Sequence, residues 1–136
     1  MALEISSTLL VGLLNEAERS PEHEVCGLLF GTPARIEQAL RCCNVAPDPR
    51  SAFEIDPVQL IAAHKAERRG GPRIVGCYHS HPSGPPLPSA RDAAAAMTDG
   101  AIWLIIARRE AGFFCAIENG AIERRFVAVR HEIVEP

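Results

Sequence analysis

The sequence predicts an α/β fold, a twisted mixed β-sheet flanked by helices in a single domain spanning 1–136. Three observations carry that expectation. A chain of 136 residues is long enough for one core and too short for a second of ordinary size. Its 47% hydrophobic and 23% charged residues match an ordinary globular protein and set aside disordered and collagen-like classes. Segments with helical spacing alternate with short β-rich apolar runs, and the chain then closes on a meander of strands.

The elements follow in order. Ser6 or Ser7 can cap an opening helix in which Leu9, Leu10, Leu13 and Leu14 share one face, and the charged "NEAERSPE" ends it before Pro21. "VCGLLFG" (25–31) is short, apolar and glycine-bounded, and "GTPA" turns it into "RIEQALRCCNVA", which makes a strand hairpin. "DPRSAFEIDP" is a loop. Pro57 then starts a helix that stops at Gly70 and Gly71. "PRIVGCYHSH" is a β-rich run and "PSARDAAAAM" a short helix. "AIWLIIARR", "GFFCAIENG" and "AIERRFVAVR" are three strands, the last two joined across "ENGA".

Charge narrows the function classes. A net charge of −3 with both signs interspersed provides no footprint for nucleic acid or an anionic membrane. The N-terminus has an early glutamate and no basic region, so it reads as an amphipathic helix and not a signal peptide, and no apolar window is long enough to span a bilayer. Five cysteines, an odd number with Cys42 and Cys43 adjacent, suit a reducing cytoplasm better than a disulfide framework. Cys26, Cys77 and Cys115 fall in apolar strands and are expected as core residues, while His64 and His131 have no ligand partner at useful spacing and are expected at the surface.

Chemistry concentrates in "YHSHPSGPPLPSARD" (78–92). His79 and His81 stand two apart at a strand end, so both imidazoles face one side and can reach one ion. Pro82 stops the strand, and a proline-rich loop leads to Ser89 and Asp92, an S-x-x-D helix start that places a carboxylate in the first turn. Two histidines and one carboxylate form a three-ligand zinc set whose fourth position is left to water, the arrangement of a catalytic site. Hydrolysis also needs a proton acceptor, and Glu22 and Glu24 both precede the buried strand.

"HEVCGLLFG" together with "GCYHSHPSGPPLPSARD" resembles the JAMM, or MPN+, zinc metalloprotease family. That family's signature is a glutamate ahead of a C-G-L-L-x-G strand, then H-[ST]-H-P, six residues and S-x-x-D, matched here by Glu24, His79, His81, Pro82, Ser89 and Asp92. Cys26, Gly27, Gly31 and Gly76 match as well. The resemblance implies that His79, His81 and Asp92 bind one Zn2+, that Glu24 is the general base and acid, and that Ser89 hydrogen-bonds the oxyanion. It also implies a curved mixed sheet similar to the cytidine deaminase fold.

The short chain resembles the compact prokaryotic branch of the family, without the insertions by which eukaryotic relatives grip ubiquitin. That branch implies a metallopeptidase or isopeptidase acting on the C-terminal tail of a ubiquitin-like or sulfur-carrier protein, the tail adding along a sheet edge near the metal. Two other readings stay open: a non-catalytic MPN-type interaction module, and a RadC-like domain linked by name to DNA repair. The sequence leaves the oligomeric state open, a homodimer included.

Overall fold

The computed structural model describes residues 2–136. Eight strands form one mixed sheet in the order β7-β6-β5-β4-β2-β3-β1-β8. In chain order the elements are β1 (Leu3–Ser6), α1 (Ser7–Glu18), β2 (Cys26–Thr32), β3 (Arg35–Cys42), α2 (Pro57–Arg68), β4 (Ile74–Ser80), α3 (Ala90–Ala95), β5 (Ile102–Ala107), β6 (Glu110–Gly120), β7 (Arg124–Ala128) and β8 (His131–Val134). β4 and β5 run parallel at the centre, while β2 pairs antiparallel with both β3 and β4. The expected α/β class is the one observed, and no helix among the described residues is long and apolar enough to cross a membrane.

Two strands depart from the expected order. The chain opens with β1 and not with a helix, because Leu3 and Ile5 alternate into the core and pair β1 in parallel with β3 and β8. The helix follows at once, capped by Ser6, whose hydroxyl accepts from the Leu9 amide at 3.1 Å. β8 adds a last edge strand after the meander. The second strand of the hairpin stops at Cys42, and residues 43–46 enter the loop instead, tied by a single bridge between Asn44 and Ile55.

The two faces of the sheet are covered differently. On one, α1 buries Leu10 and Leu13 against Leu29, Ile36, Tyr78, Leu104 and Ile106. On the other, α3 covers Trp103, Ile105, Phe114 and Phe126, and α2 covers Leu28, Phe30 and Cys42 through Ala63. β5 is buried at every position, as a strand sandwiched between helices must be. β4 therefore presents Tyr78 to the α1 face and His79 to the α2/α3 face.

Gly27 makes that arrangement fit. It stands opposite Tyr78, and a Cβ there would lie 2.2 Å from the Leu40 carbonyl oxygen and 2.5 Å from the Tyr78 ring. The tyrosine hydroxyl donates to Glu16 at 2.8 Å, so the ring has nowhere to move. Gly27→Ala is expected to destabilise the chain by about 3 kcal/mol, read as a lowered midpoint in chemical denaturation.

Candidate metal centre

The centre forms where β4 leaves the sheet. His79 is the penultimate residue of β4 and is fully buried; its ring stacks on Phe53 at 4.2 Å and meets the edge of Trp103 at 5.7 Å. His81 lies just beyond the strand, where its amide donates to the Ile106 carbonyl at 2.8 Å and so keeps the chain alongside β5 for one more residue. The Nε2 atoms of His79 and His81 approach to 3.1 Å.

Asp92 comes back to the same point by way of the proline loop and α3. Ser89 caps that helix: its hydroxyl accepts from the Asp92 amide at 3.0 Å, and Asp92 Oδ2 accepts from the Ser89 amide at 2.9 Å. This capping box fixes the first helical turn, so Asp92 also reaches both imidazoles, Oδ1 lying 3.0 Å from His79 Nε2 and Oδ2 3.2 Å from His81 Nε2. His81 Nδ1 is 2.9 Å from the Pro85 carbonyl, which can only accept. Nδ1 therefore carries a proton, and Nε2 is the ring atom turned toward the cluster, the orientation of a metal-ligating histidine.

Glu24 approaches from β2, two residues before the strand begins, and is 6% exposed. One ligand atom each from Glu24, His79 and His81 lies within 4.8 Å of the other two. Glu22 is exposed at the rim of a hollow of about 340 Å3, which it lines with Pro21, Arg50, Pro82 and Ser83. Only Glu24, of the two glutamates the sequence offered, reaches the cluster.

Both the Glu24/His79/His81 and the Asp92/His79/His81 groupings contain metal-compatible atoms. Ligands on a tetrahedral ion with bonds of about 2.0–2.1 Å stand about 3.3 Å apart. The 3.1 Å between the two Nε2 atoms, and the 3.0 and 3.2 Å from them to the separate oxygens Oδ1 and Oδ2 of Asp92, are close to that edge. Glu24 Oε1 is buried and, among the described residues, has no hydrogen-bond partner, as is also true of His79 Nδ1. A buried orphan carboxyl oxygen is costly unless something not belonging to the chain completes it. The donor set of His79 and His81 with the carboxylates of Glu24 and Asp92 therefore fits a divalent cation.

The two carboxyl groups differ in their electrostatics. Burial pushes the Glu24 carboxyl from 4.5 up to about 7, against the pull of His81 and with the help of Asp92. Burial likewise lowers His79 and keeps it neutral. For His81 burial acts in the same sense but is outweighed by the hydrogen bonds to Asp92 and Pro85, so its value rises. Burial would raise Asp92, yet the two imidazoles and the Ser89 amide hold it well below the usual carboxylate range. The centre thus pairs an ionised carboxylate with a second carboxyl that exchanges a proton near neutrality.

Other expectations sort simply. His64 is exposed; His131 is exposed but stacks on Phe113 at 4.2 Å. Cys26 and Cys42 are buried, Cys77 and Cys115 half-buried and Cys43 exposed, all with free thiols. Burial pushes Cys26 up to about 12, which makes it inert as a nucleophile. β4 is paired on both sides, by β2 and β5, whereas β1 covers β3 only at Arg35 and Ile36, and β3 ends at Cys42, opposite Cys26, which in turn stands opposite His79. Phe53 and Asn44 were not singled out by the sequence, and Ser80 only as the second position of H-[ST]-H-P without a role, yet all three adjoin the centre; for Phe53 the one available signal was a lone aromatic in the polar loop "DPRSAFEIDP".

Residues 7–122 match the Prok-JAB family, described as prokaryotic homologs of the JAB domain. The chain is 37% identical over 107 residues to the desampylase of Haloferax volcanii, covering 77% of each chain. It is 41% identical over 85 residues to the probable TtuB-protein conjugate cleaving protease of Thermus thermophilus, covering 60% of this chain and 57% of that one. A JAB1/MPN domain protein from Archaeoglobus fulgidus, 19% identical, superposes over 98% of both chains with a TM-score of 0.61, a likeness of fold. With the match running from α1 to the turn before β7, the chain belongs to the Prok-JAB family, a compact prokaryotic member of the JAMM/MPN group.

Proposed function

We propose that this chain, acting as one domain over 1–136, is a zinc-dependent peptidase or isopeptidase that hydrolyses the amide bond at the C-terminal tail of a ubiquitin-like or sulfur-carrier protein. The observation that carries the reading is the pairing of a compact His79, His81 and Asp92 triangle with an unpartnered, buried Glu24 carboxyl whose proton equilibrium lies at about 7. The relatives support the substrate class: one is named a desampylase, the other a probable protease cleaving a protein conjugate.

His79, His81 and Asp92 would hold one Zn2+, which supplies Lewis-acid polarisation of a carbonyl and lowers the pKa of a coordinated water to about 7. Glu24 takes a proton from the attacking water and delivers it to the leaving nitrogen, a transfer for which a group near neutrality suits both directions. Ser89 donates to the oxyanion. Its oxygen accepts from the Asp92 amide, so its own proton remains free to donate, and the cap and the oxyanion contact use different halves of one hydroxyl.

The test uses the zinc-loaded chain and a ubiquitin-fold carrier ending in Gly-Gly and extended by a C-terminal peptide, with the products read by mass spectrometry. Release of the extension, lost on chelation and restored by zinc, is expected. Glu24→Gln should retain the metal and leave the carrier intact. Cleavage that survives chelation, or a Glu24→Gln variant at full rate, overturns the proposal.

A further inference from the structure

Glu24 lies outside the β2 ladder, and its Oε1 is held by no side chain. Its aim must therefore come from its backbone. Three contacts fix that backbone: the Glu24 amide donates to the Pro49 carbonyl at 2.7 Å, the Glu24 carbonyl accepts from Asn44 Nδ2 at 3.0 Å, and the next amide, Val25, donates to the Ser80 hydroxyl at 2.9 Å. Ser80 belongs to β4 and ties the segment to the strand that carries His79. Asn44 has no such place in a strand, and its role needs a separate reason.

That reason is visible in its other bonds. Asn44 Nδ2 also donates to the Ala52 carbonyl at 3.1 Å, and Oδ1 accepts from the amides of Ala46 and Glu54 at 3.1 Å each. All four hydrogen-bonding positions of the side-chain amide are used. Ala52 and Glu54 flank Phe53, whose ring stacks on His79. One side chain thus joins the backbone of Glu24 to the loop residue that packs on a metal-facing imidazole.

We infer that Asn44 is a positioning residue that sets the Glu24 carboxyl against the His79 and His81 pair, through the Glu24 carbonyl and the Phe53 segment. The inference rests on the reading of Glu24 as the proton-transfer group. A general base displaced by about 1 Å can lose on the order of 10²-fold in rate.

Asn44→Asp separates positioning from loop closure. A carboxylate keeps both acceptor bonds, to Ala46 and Glu54, and loses both donor bonds, to Glu24 and Ala52. With the carrier fusion as substrate, Asn44→Asp and Asn44→Ala are expected to lower kcat by about 10²-fold, with KM within about threefold and zinc content unchanged. In the Glu24→Gln background, adding Asn44→Asp should change the residual rate by less than about twofold, since the group it positions is already gone. Ser51→Ala is the control. It breaks the contacts of Ser51 with Arg91 at 3.1 Å and Asp48 at 2.8 Å, braces of the same loop, and leaves every Asn44 bond in place.

Ser51→Ala should stay within about threefold of the parent. Asn44→Asp at parental kcat overturns the inference, as does an equal further loss in the Glu24→Gln background or a loss of about 10²-fold in Ser51→Ala. If Asn44→Ala does not fold, Asn44→Asp, which keeps the two acceptor bonds to Ala46 and Glu54, decides alone. Full activity of Glu24→Gln would fail the functional reading itself; an inactive Glu24→Gln beside a fully active Asn44→Asp fails only the inference.

Discussion

Glu24→Gln is expected to remove activity and at the same time stabilise the metal-free chain at neutral and alkaline pH. Loss of the proton-transfer group lowers kcat by roughly 10²–10⁴-fold. The stability change follows from burial. The carboxyl rises from 4.5 to about 7 on folding, so the folded state holds its proton more tightly than the unfolded state does. The stability this proton contributes is complete below pH 4.5 and is lost as the pH rises through about 7. That interval corresponds to about 3 kcal/mol, and at 6% exposure solvent screens little of it. Glutamine has no charge to bury. Chelated wild-type protein should therefore lose stability between pH 5 and pH 8 relative to chelated Glu24→Gln, as measured by urea denaturation at both values. Parallel curves for the two proteins would show that the carboxyl is not strained by its site. A stable, inactive variant is what a group held for chemistry predicts.

The fold and the centre were unequally legible in the sequence, for reasons that lie in particular residues. His79, His81, Ser89 and Asp92 sit within fourteen consecutive residues, and their geometry follows from two local rules, strand alternation and the capping box, that need no tertiary information. Glu24 is joined to them only through long-range contacts, among them the β2–β4 pairing in which Cys26 stands opposite His79, so composition could not choose it over Glu22; the family signature did. Burial separates the two at once. Asn44 and Phe53 were out of reach, because their roles arise from a loop folding back on itself, and a polar residue after two cysteines has no periodicity to betray it.

The same logic explains the strands. β1 has four residues, with only Leu3 and Ile5 alternating inward, too brief a pattern to stand out beside the leucines of α1. The strand "AIWLIIARR" reads through to Arg109, yet it ends at Ala107. Arg108 and Arg109 take φ values of 52° and 61° and close a two-residue hairpin turn that ordinarily shows itself by asparagine or glycine. Arg109 secures that turn from outside by pairing with Glu18 on α1. β8 has three exposed positions of four and owes its existence to the vacant edge of β1.

Ser89 offers the second large effect, and its two roles can be taken apart. Ser89→Ala removes both the cap acceptor of α3 and the oxyanion donor. It should cost about 1 kcal/mol in stability and roughly 10²–10³-fold in kcat, with zinc still bound. Ser89→Gly removes the hydroxyl as well, but glycine at an N-cap costs only about a few tenths of a kcal/mol compared with serine. If the hydroxyl acts in chemistry, glycine and alanine should be equally inactive while differing in stability. If Ser89 serves only to cap α3 and so to aim Asp92, activity should follow stability, glycine falling near the parent and alanine below it. Ser89→Thr, which keeps both an acceptor and a proton, should recover most of the rate in the first case. The capping box makes the outcome readable, because the Ser89 amide still donates to Asp92 Oδ2 in all three variants and continues to direct that carboxylate toward His79 and His81. A serine whose oxygen is occupied by a helix and whose proton is unclaimed is what an oxyanion donor on a rigid support requires.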